Sequence, residues 1–121
     1  KPATVTPLTA ALFCQVLIDA GLPAGHLNLL NGDGRDVGAW LLEEPDIRFY
    51  TFTGSTQVGR LIQRDAGLRR TQLELGSISG TIVCEDANLE WALPRCVNSS
   101  FRKAGQVCTS VQRLFVLVRE R

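Results

Sequence analysis

The chain has 121 residues, 45% of them hydrophobic and 21% charged, with a formal net charge of +1. That is length enough for one ordinary domain with a sizeable core, and the scattered basic residues favour neither nucleic acid nor an anionic membrane as partner. No apolar stretch nears the roughly 18 residues of a membrane span, and Lys1-Pro2-Ala3-Thr4 is no signal-peptide opening, so a soluble, cytoplasmic setting is expected.

Cys14, Cys84, Cys96 and Cys108 stand far apart, with no C-x-x-C pair and a single histidine, His26, to join them. That spacing offers no zinc site, so no metal is expected, and a chain this rich in apolar residues needs no disulfide staples. Free thiols in a reducing compartment are the expectation. A chain that opens on Lys-Pro and holds no Met anywhere reads as an internal fragment of something longer.

In chain order, Pro7 to Ala20 is predicted helical: Leu8, Leu12, Val16 and Ala20 recur four apart, widened by Ala11, Leu17 and Ile18, until Gly21-Leu22-Pro23-Ala24-Gly25 stops the run. A short apolar strand is expected from His26 to Leu30, then a turn at Asn31-Gly32-Asp33-Gly34. Arg35 to Glu44 reads as a second helix with Val37, Trp40 and Leu41 inward, ended by Pro45. Ile47 to Phe52 alternates and is β-rich, a strand running into Thr53-Gly54-Ser55-Thr56. Gln57 to Ala66 is the third helix, with Val58, Leu61 and Ile62 inward and Gly67 at its C-terminal cap, and Thr71 to Leu75 is another strand. Strand and helix thus alternate with short connections, the pattern of an α/β fold whose parallel sheet carries helices on its faces. Beyond Gly76, Gly80 to Cys84 is a short strand, Asn88 can cap a helix from Leu89 to about Lys103, and Leu114 to Val118 reads as a closing strand. Pro94 is tolerable in the first turns of that helix and costly further in.

Three constellations carry chemistry. Cys108 follows Gly105-Gln106-Val107 after an amphipathic run, and a thiol in a glycine-flanked turn can be exposed and activated by local N–H groups; the alternative is an inert, packed thiol. Thr53-Gly54-Ser55-Thr56-Gln57-Val58-Gly59 sits where a strand passes into a helix, a place that favours an anion such as a pyrophosphate, although it lacks the G-x-G-x-x-G fingerprint and reads equally as an ordinary N-cap. Glu74, at the end of a buried strand, suits a general base if its carboxylate is unpaired there, or else turns to solvent. His26 has no flanking motif, which argues against a Cys-His hydrolase.

Taken in order, Lys1-Pro2-Ala3, Gly21-Leu22-Pro23-Ala24-Gly25 with Leu27-Asn28, Phe52-Thr53-Gly54-Ser55-Thr56 with Val58-Gly59, Leu73-Glu74-Leu75-Gly76 and Gly105-Gln106-Val107-Cys108 resemble the NAD(P)-dependent aldehyde dehydrogenase superfamily over essentially the whole chain. The resemblance implies a Rossmann-like parallel sheet with flanking helices, part of the cofactor domain over residues 1–75, running into the start of the α/β catalytic domain over residues 76–121. It implies that Cys108 attacks an aldehyde to form a thiohemiacetal, that hydride passes to NAD or NADP, and that Glu74 activates the water that hydrolyses the thioester to a carboxylic acid. Lys1 is then expected at the adenosine ribose, Gly34 and Gly38 at the adenine cleft, Phe52, Thr53, Gly54, Ser55 and Gly59 along the adenine and pyrophosphate, and Leu75 with Gly76 near the nicotinamide. A homodimer or homotetramer is implied for the full-length protein, with a small aldehyde as substrate.

The departures are as informative. Ser77 and Ile78 stand where many members have Gly-Lys, and Phe101-Arg102-Lys103 where Phe-Phe-Asn often precedes the nucleophile motif. Those two cations either recruit an anionic aldehyde and activate the thiol or are solvated helix-end charges. Thr4 stands where NAD-preferring members often carry an acid, which relaxes repulsion of a 2′-phosphate and leaves NAD and NADP both open. The family's oxyanion asparagine and the half that shapes the aldehyde tunnel lie outside these residues, so little turnover is expected of the chain alone. The rival reading is a non-catalytic nucleotide-binding α/β module whose Cys108 is merely packed.

Overall fold

A computed structural model describes residues 1–78 and 80–117. Its elements are α1 (Pro7–Asp19), α2 (Gly34–Glu43), β1 (Phe49–Thr53), α3 (Thr56–Ala66), β2 (Arg70–Glu74), β3 (Gly80–Val83), α4 (Leu89–Phe101) and β4 (Arg113–Val116), with a 3-10 turn at Arg102–Gly105. β1 pairs with β2 and β3 with β4. Both pairs are parallel: Gly80 to Val83 align with Arg113 to Val116, while Arg70 N–H donates to Arg48 O (3.3 Å) at one end of β1/β2 and Gly54 N–H to Glu74 O (3.0 Å) at the other. Each pair is bridged by a helix, α3 or α4, so the expected α/β class with parallel strands is what forms. The chain divides into two compact units, Lys1–Thr51 with Leu61–Gln72, and Phe52–Arg60 with Leu73–Arg121. No helix among the described residues is long and apolar enough to cross a membrane.

In the first unit, α1 opens with Pro7, whose missing N–H costs nothing at a helix start. It closes with Leu22 N–H to Leu17 O (3.1 Å), Gly21 N–H to Ile18 O (2.9 Å) and Gly21 at φ +92°, the glycine-based stop expected there. The apolar stripe packs only in part. Leu8, Leu12 and Val16 are 77%, 69% and 61% exposed, whereas Ala11 and Leu17 of that stripe are half-buried together with Pro7, Ala10 and Cys14. No charge interrupts Pro7 to Ile18, so apolar periodicity cannot choose one face of α1 over another.

His26 to Leu30 forms no strand. A strand needs a neighbour for its N–H and C=O groups, and this segment pairs with no strand among the described residues; His26 N–H instead closes a turn on Pro23 O (3.3 Å). α2 is capped by Asp33, which accepts from Arg35 N–H (2.7 Å). It buries Val37 and half-buries Leu41, while Trp40, expected inward, is 65% exposed.

Arg69 knits this unit together. Its guanidinium donates to Leu42 O (2.7 Å) and Glu44 O (3.1 Å) at the end of α2, and to Asp65 O (3.0 Å) and Ala66 O (3.0 Å) at the end of α3. It also lies 5.0 Å from the centroid of the Tyr50 ring, whose hydroxyl donates to Leu41 O (2.9 Å). Carbonyls at two helix ends thereby accept from one cation, Ala66 O taking the Arg69 backbone N–H (3.1 Å) as well, and the charge complements both dipoles.

In the second unit, Asn88 caps α4 by accepting from Trp91 N–H (3.1 Å). Pro94 sits inside the helix rather than at its opening. Val83 on β3 is buried, but a sizeable core is not found: among the described residues only Val37, Ala66 and Val83 are buried hydrophobics. Leu89, Trp91, Leu93, Val97 and Phe101 of α4 are all exposed.

Candidate active site

The turn before α3, the end of β2 and the segment that carries Cys108 all belong to the second unit. The bond from Gly54 N–H to Glu74 O carries the β1/β2 ladder one residue past β1, so the turn into α3 and the end of β2 lie side by side. Ser55 is the cap of α3: its hydroxyl accepts from Val58 N–H (3.3 Å) and its carbonyl from Gly59 N–H (3.0 Å). The N–H groups of Thr56 and Gln57 lie ahead of the first intrahelical bond, at the positive end of the dipole, as an anion site requires.

At both glycines of this turn a side chain would require a neighbour to move. A β-carbon at Gly54 would run into the Phe52 ring, and one at Gly59, which is buried, would lie 2.5 Å from Leu75 Cδ2. At Gly76 a β-carbon would come within 3.8 Å of Thr56 Oγ1, so the backbone there runs close past the helix start. A strand end, a free helix N-terminus and side-chain-free backbone together suit a pyrophosphate.

Cys108 is presented by an unusual turn. After α4, Lys103 (φ 52°, ψ 41°), Ala104 (φ 56°, ψ 30°) and Gly105 (φ +74°) are left-handed in succession. Only the third is a glycine, and each of the others costs about 1 kcal/mol in that conformation. The loop is then closed on itself: Gln106 N–H donates to Lys103 O (3.1 Å), Ser110 N–H to Val107 O (3.0 Å) and Ser110 Oγ to Gly105 O (3.2 Å). Ser110 is 6% exposed and backs the loop, while Cys108 in its middle is exposed.

The pieces meet in an open cleft of about 680 Å³. Thr53, Gly54 and Thr56 line it from the turn before α3, Glu74 through Ile78 from the end of β2, and Gly105, Val107, Cys108 and Gln112 from the segment between α4 and β4. A second cleft of about 360 Å³ shares Glu74, Leu75, Ser77 and Cys108 and extends to Thr81 and Val111. Cys108 and Glu74 therefore open onto the same two spaces. Of the residues expected at the site, Phe52, Ser55 and Gly59 support the cleft from behind rather than lining it. Gln112 and Ser110 were not anticipated, and nothing in their spacing marks them.

In the first unit, Lys1 Nζ donates to Pro2 O (2.8 Å) and Thr4 Oγ1 (3.4 Å), and a β-carbon at Gly34 would lie 3.6 Å from the same ammonium. Lys1, Thr4 and Gly34 thus form one group at the start of α2. Gly38, one turn along α2, has open space where a side chain would be.

The profile described as "Aldehyde dehydrogenase family" matches residues 1–119. The chain is 53% identical over 116 residues to a 3-sulfolactaldehyde dehydrogenase of Priestia aryabhattai, covering 96% of this chain and 24% of that protein. Among solved structures it is similar to a cysteine-to-alanine variant of aldehyde dehydrogenase C from Pseudomonas syringae in complex with NAD+ and octanal, at TM-score 0.89 and 39% identity, covering 95% of this chain and 24% of that one. It is also similar to an NADP-dependent enzyme of E. coli, at TM-score 0.89 and 38% identity with the same coverage. The chain spans about a quarter of the length of these relatives. With the profile running through both units, the chain belongs to the aldehyde dehydrogenase family.

Proposed function

We propose that these residues form the nucleophile, the general base and much of the dinucleotide site of an NAD(P)-dependent aldehyde dehydrogenase, working within a longer polypeptide. The observation that carries this reading is that Cys108, Glu74 and the Thr53–Thr56 turn line one cleft. The Cys108 thiolate adds to the aldehyde carbonyl, forming a C–S bond and a thiohemiacetal. Bound NAD or NADP supplies the hydride acceptor. Loss of hydride from the thiohemiacetal carbon leaves a thioester on Cys108; Glu74 takes a proton from water as it adds to that thioester, the C–S bond breaks, and the carboxylic acid leaves with the thiolate restored.

For the cofactor, the Thr56 and Gln57 N–H groups would hold the pyrophosphate, with Phe52, Thr53, Gly54, Ser55 and Gly59 along the adenine and pyrophosphate and Leu75 and Gly76 near the nicotinamide. Lys1 and Thr4 would hold the adenosine ribose, and Gly34 and Gly38 would border the adenine. A neutral Thr4 would place no negative charge against a 2′-phosphate, which leaves NAD and NADP both open. Residues 1–75 are read as cofactor domain and 76–121 as the start of the catalytic domain, in a cytoplasmic homodimer or homotetramer.

The substrate class is an aldehyde carrying an anionic group. Arg102 and Lys103 stand exposed before Cys108, and the Priestia relative is named for a sulfonated aldehyde. Replacing Arg102 and Lys103 with Ala is expected to raise KM for sulfonated aldehydes about tenfold and leave octanal unchanged. An equal effect on both would remove the anionic-substrate reading.

The deciding experiment is steady-state oxidation by the full-length polypeptide with Cys108→Ser and Glu74→Gln. Each is expected to lower kcat by at least about a hundredfold. In the same protein Cys108 should react with iodoacetamide faster than Cys14, Cys84 and Cys96, and be protected by aldehyde. If it labels no faster than they do, the chain is a nucleotide-binding module with a packed thiol.

A further inference from the structure

Arg113 plays no part in the reaction above, yet its side chain joins the two arms that do. It opens β4, pairs with Gly80 in the first rung of β3/β4, and its Nε donates to Ile78 O at 3.0 Å. Ile78 is the far end of the cleft wall that begins at Glu74, and Cys108 stands five residues before Arg113. One charge-assisted hydrogen bond therefore ties the segment that carries the carboxylate to the segment that carries the thiol.

The guanidinium is itself held in place. A β-carbon at Gly80 would lie 2.7 Å from Phe115 Cε2, so the absence of a side chain there is what lets the Phe115 ring lie against β3. That ring lies 6.0 Å from the Arg113 guanidinium. Gly80 seats Phe115, Phe115 backs Arg113, and Arg113 reaches Ile78.

We propose that Arg113 is a positioning residue that sets the placement of Glu74 relative to Cys108 by holding the Leu75–Ile78 wall to the start of β4. The proposal rests on the assignment of Cys108 as nucleophile and Glu74 as base. Slackening this tie changes where Glu74 meets the thioester more than it changes the thiol, whose own loop is closed by Ser110 and Gln106. Misplacing a reacting group by about 1 Å is enough to lower a rate by ten- to a hundredfold.

The test uses the full-length polypeptide and p-nitrophenyl acetate, which separates the two half-reactions. Attack by the Cys108 thiolate forms the C–S bond and expels nitrophenolate; water, giving its proton to Glu74, then adds to the thioester, the C–S bond breaks and acetate leaves. Arg113→Met is expected to keep the rate of the nitrophenolate burst within about twofold and to slow steady-state turnover about tenfold, with Arg113→Lys recovering most of the loss. If Arg113→Met does not fold, Gly80→Ala, which displaces Phe115, and Arg113→Lys carry the same test, with the same split between burst and steady state expected in weaker form. A fall in thermal midpoint with both rates unchanged, or a parallel fall in both rates, overturns the proposal. A burst that survives Cys108→Ser overturns the nucleophile assignment itself, a separate result from any behaviour of Arg113.

Discussion

Two turns in this chain do the same job differently. Both lead from a helix to the strand that follows it. After α3, a single left-handed glycine, Gly67 at φ +59°, suffices, and β2 begins at Arg70. After α4, three left-handed residues follow one another, two of them with side chains, and β4 does not begin until Arg113. The first turn is relaxed and its neighbouring carbonyls are satisfied by Arg69; the second holds strain and displays an exposed thiol. Where the chain only connects, it takes the low-energy path, and where it exposes Cys108, it accepts a costlier backbone.

That contrast can be broken from either side. The largest effect is expected from Arg69→Ala, which removes hydrogen bonds to four carbonyls and the stacking on Tyr50: about 3 kcal/mol of stability, read from chemical denaturation, with Arg69→Lys recovering little because one ammonium cannot reach both helix ends. Next is Gly105→Ala, where the new β-carbon is both left-handed and 3.2 Å from Ser100 O. It is expected to cost about 2 kcal/mol and to slow alkylation of Cys108, whereas Gly67→Ala, with open space around it, costs about 1 kcal/mol and leaves alkylation unchanged. Equal alkylation rates in the two variants would remove the link between strain and thiol presentation. Lys103→Asn goes the other way, gaining about 0.5 kcal/mol because Asn tolerates the left-handed region better.

The smallest effect is expected at the surface of α3. The hydrogen bond from Arg64 (2.6 Å) holds the Asp65 carboxyl below its usual range, and the pair is fully exposed. A carboxylate whose folded pKa is lowered adds stability above its unfolded pKa and loses it as pH falls through the folded one. Asp65→Asn is therefore expected to lower the thermal midpoint at pH 7 only slightly, with the difference from the parent protein disappearing as the pH falls below about 4.

Local rules found much of this. The cap at Ser55, the glycine stop after α1 and the strand-turn-helix passage at Thr53 follow from residue type over a few positions, and they appear where residue type puts them. Gly105 marks a turn before Cys108, but not its handedness, because Lys103 and Ala104 give no local reason to be left-handed. Tertiary requirements were harder to read. The packed face of α1 is only partly legible because the helix is apolar nearly all round, and His26 to Leu30 reads as a strand because composition says nothing about whether a neighbour is present to pair with it. Arg69 and Arg113 look like surface cations in the sequence; their importance lies in carbonyls that only the fold brings within reach.

The cavity that a side chain at Gly59 would need is already filled by Leu75. The two positions share one volume, so a side chain at Gly59 requires the end of Leu75 to move. Gly59→Ala is expected to lower stability, and the double change Gly59→Ala with Leu75→Val to recover part of that loss. Beneath the Thr53–Thr56 turn there is one space and two places in the chain from which to fill it.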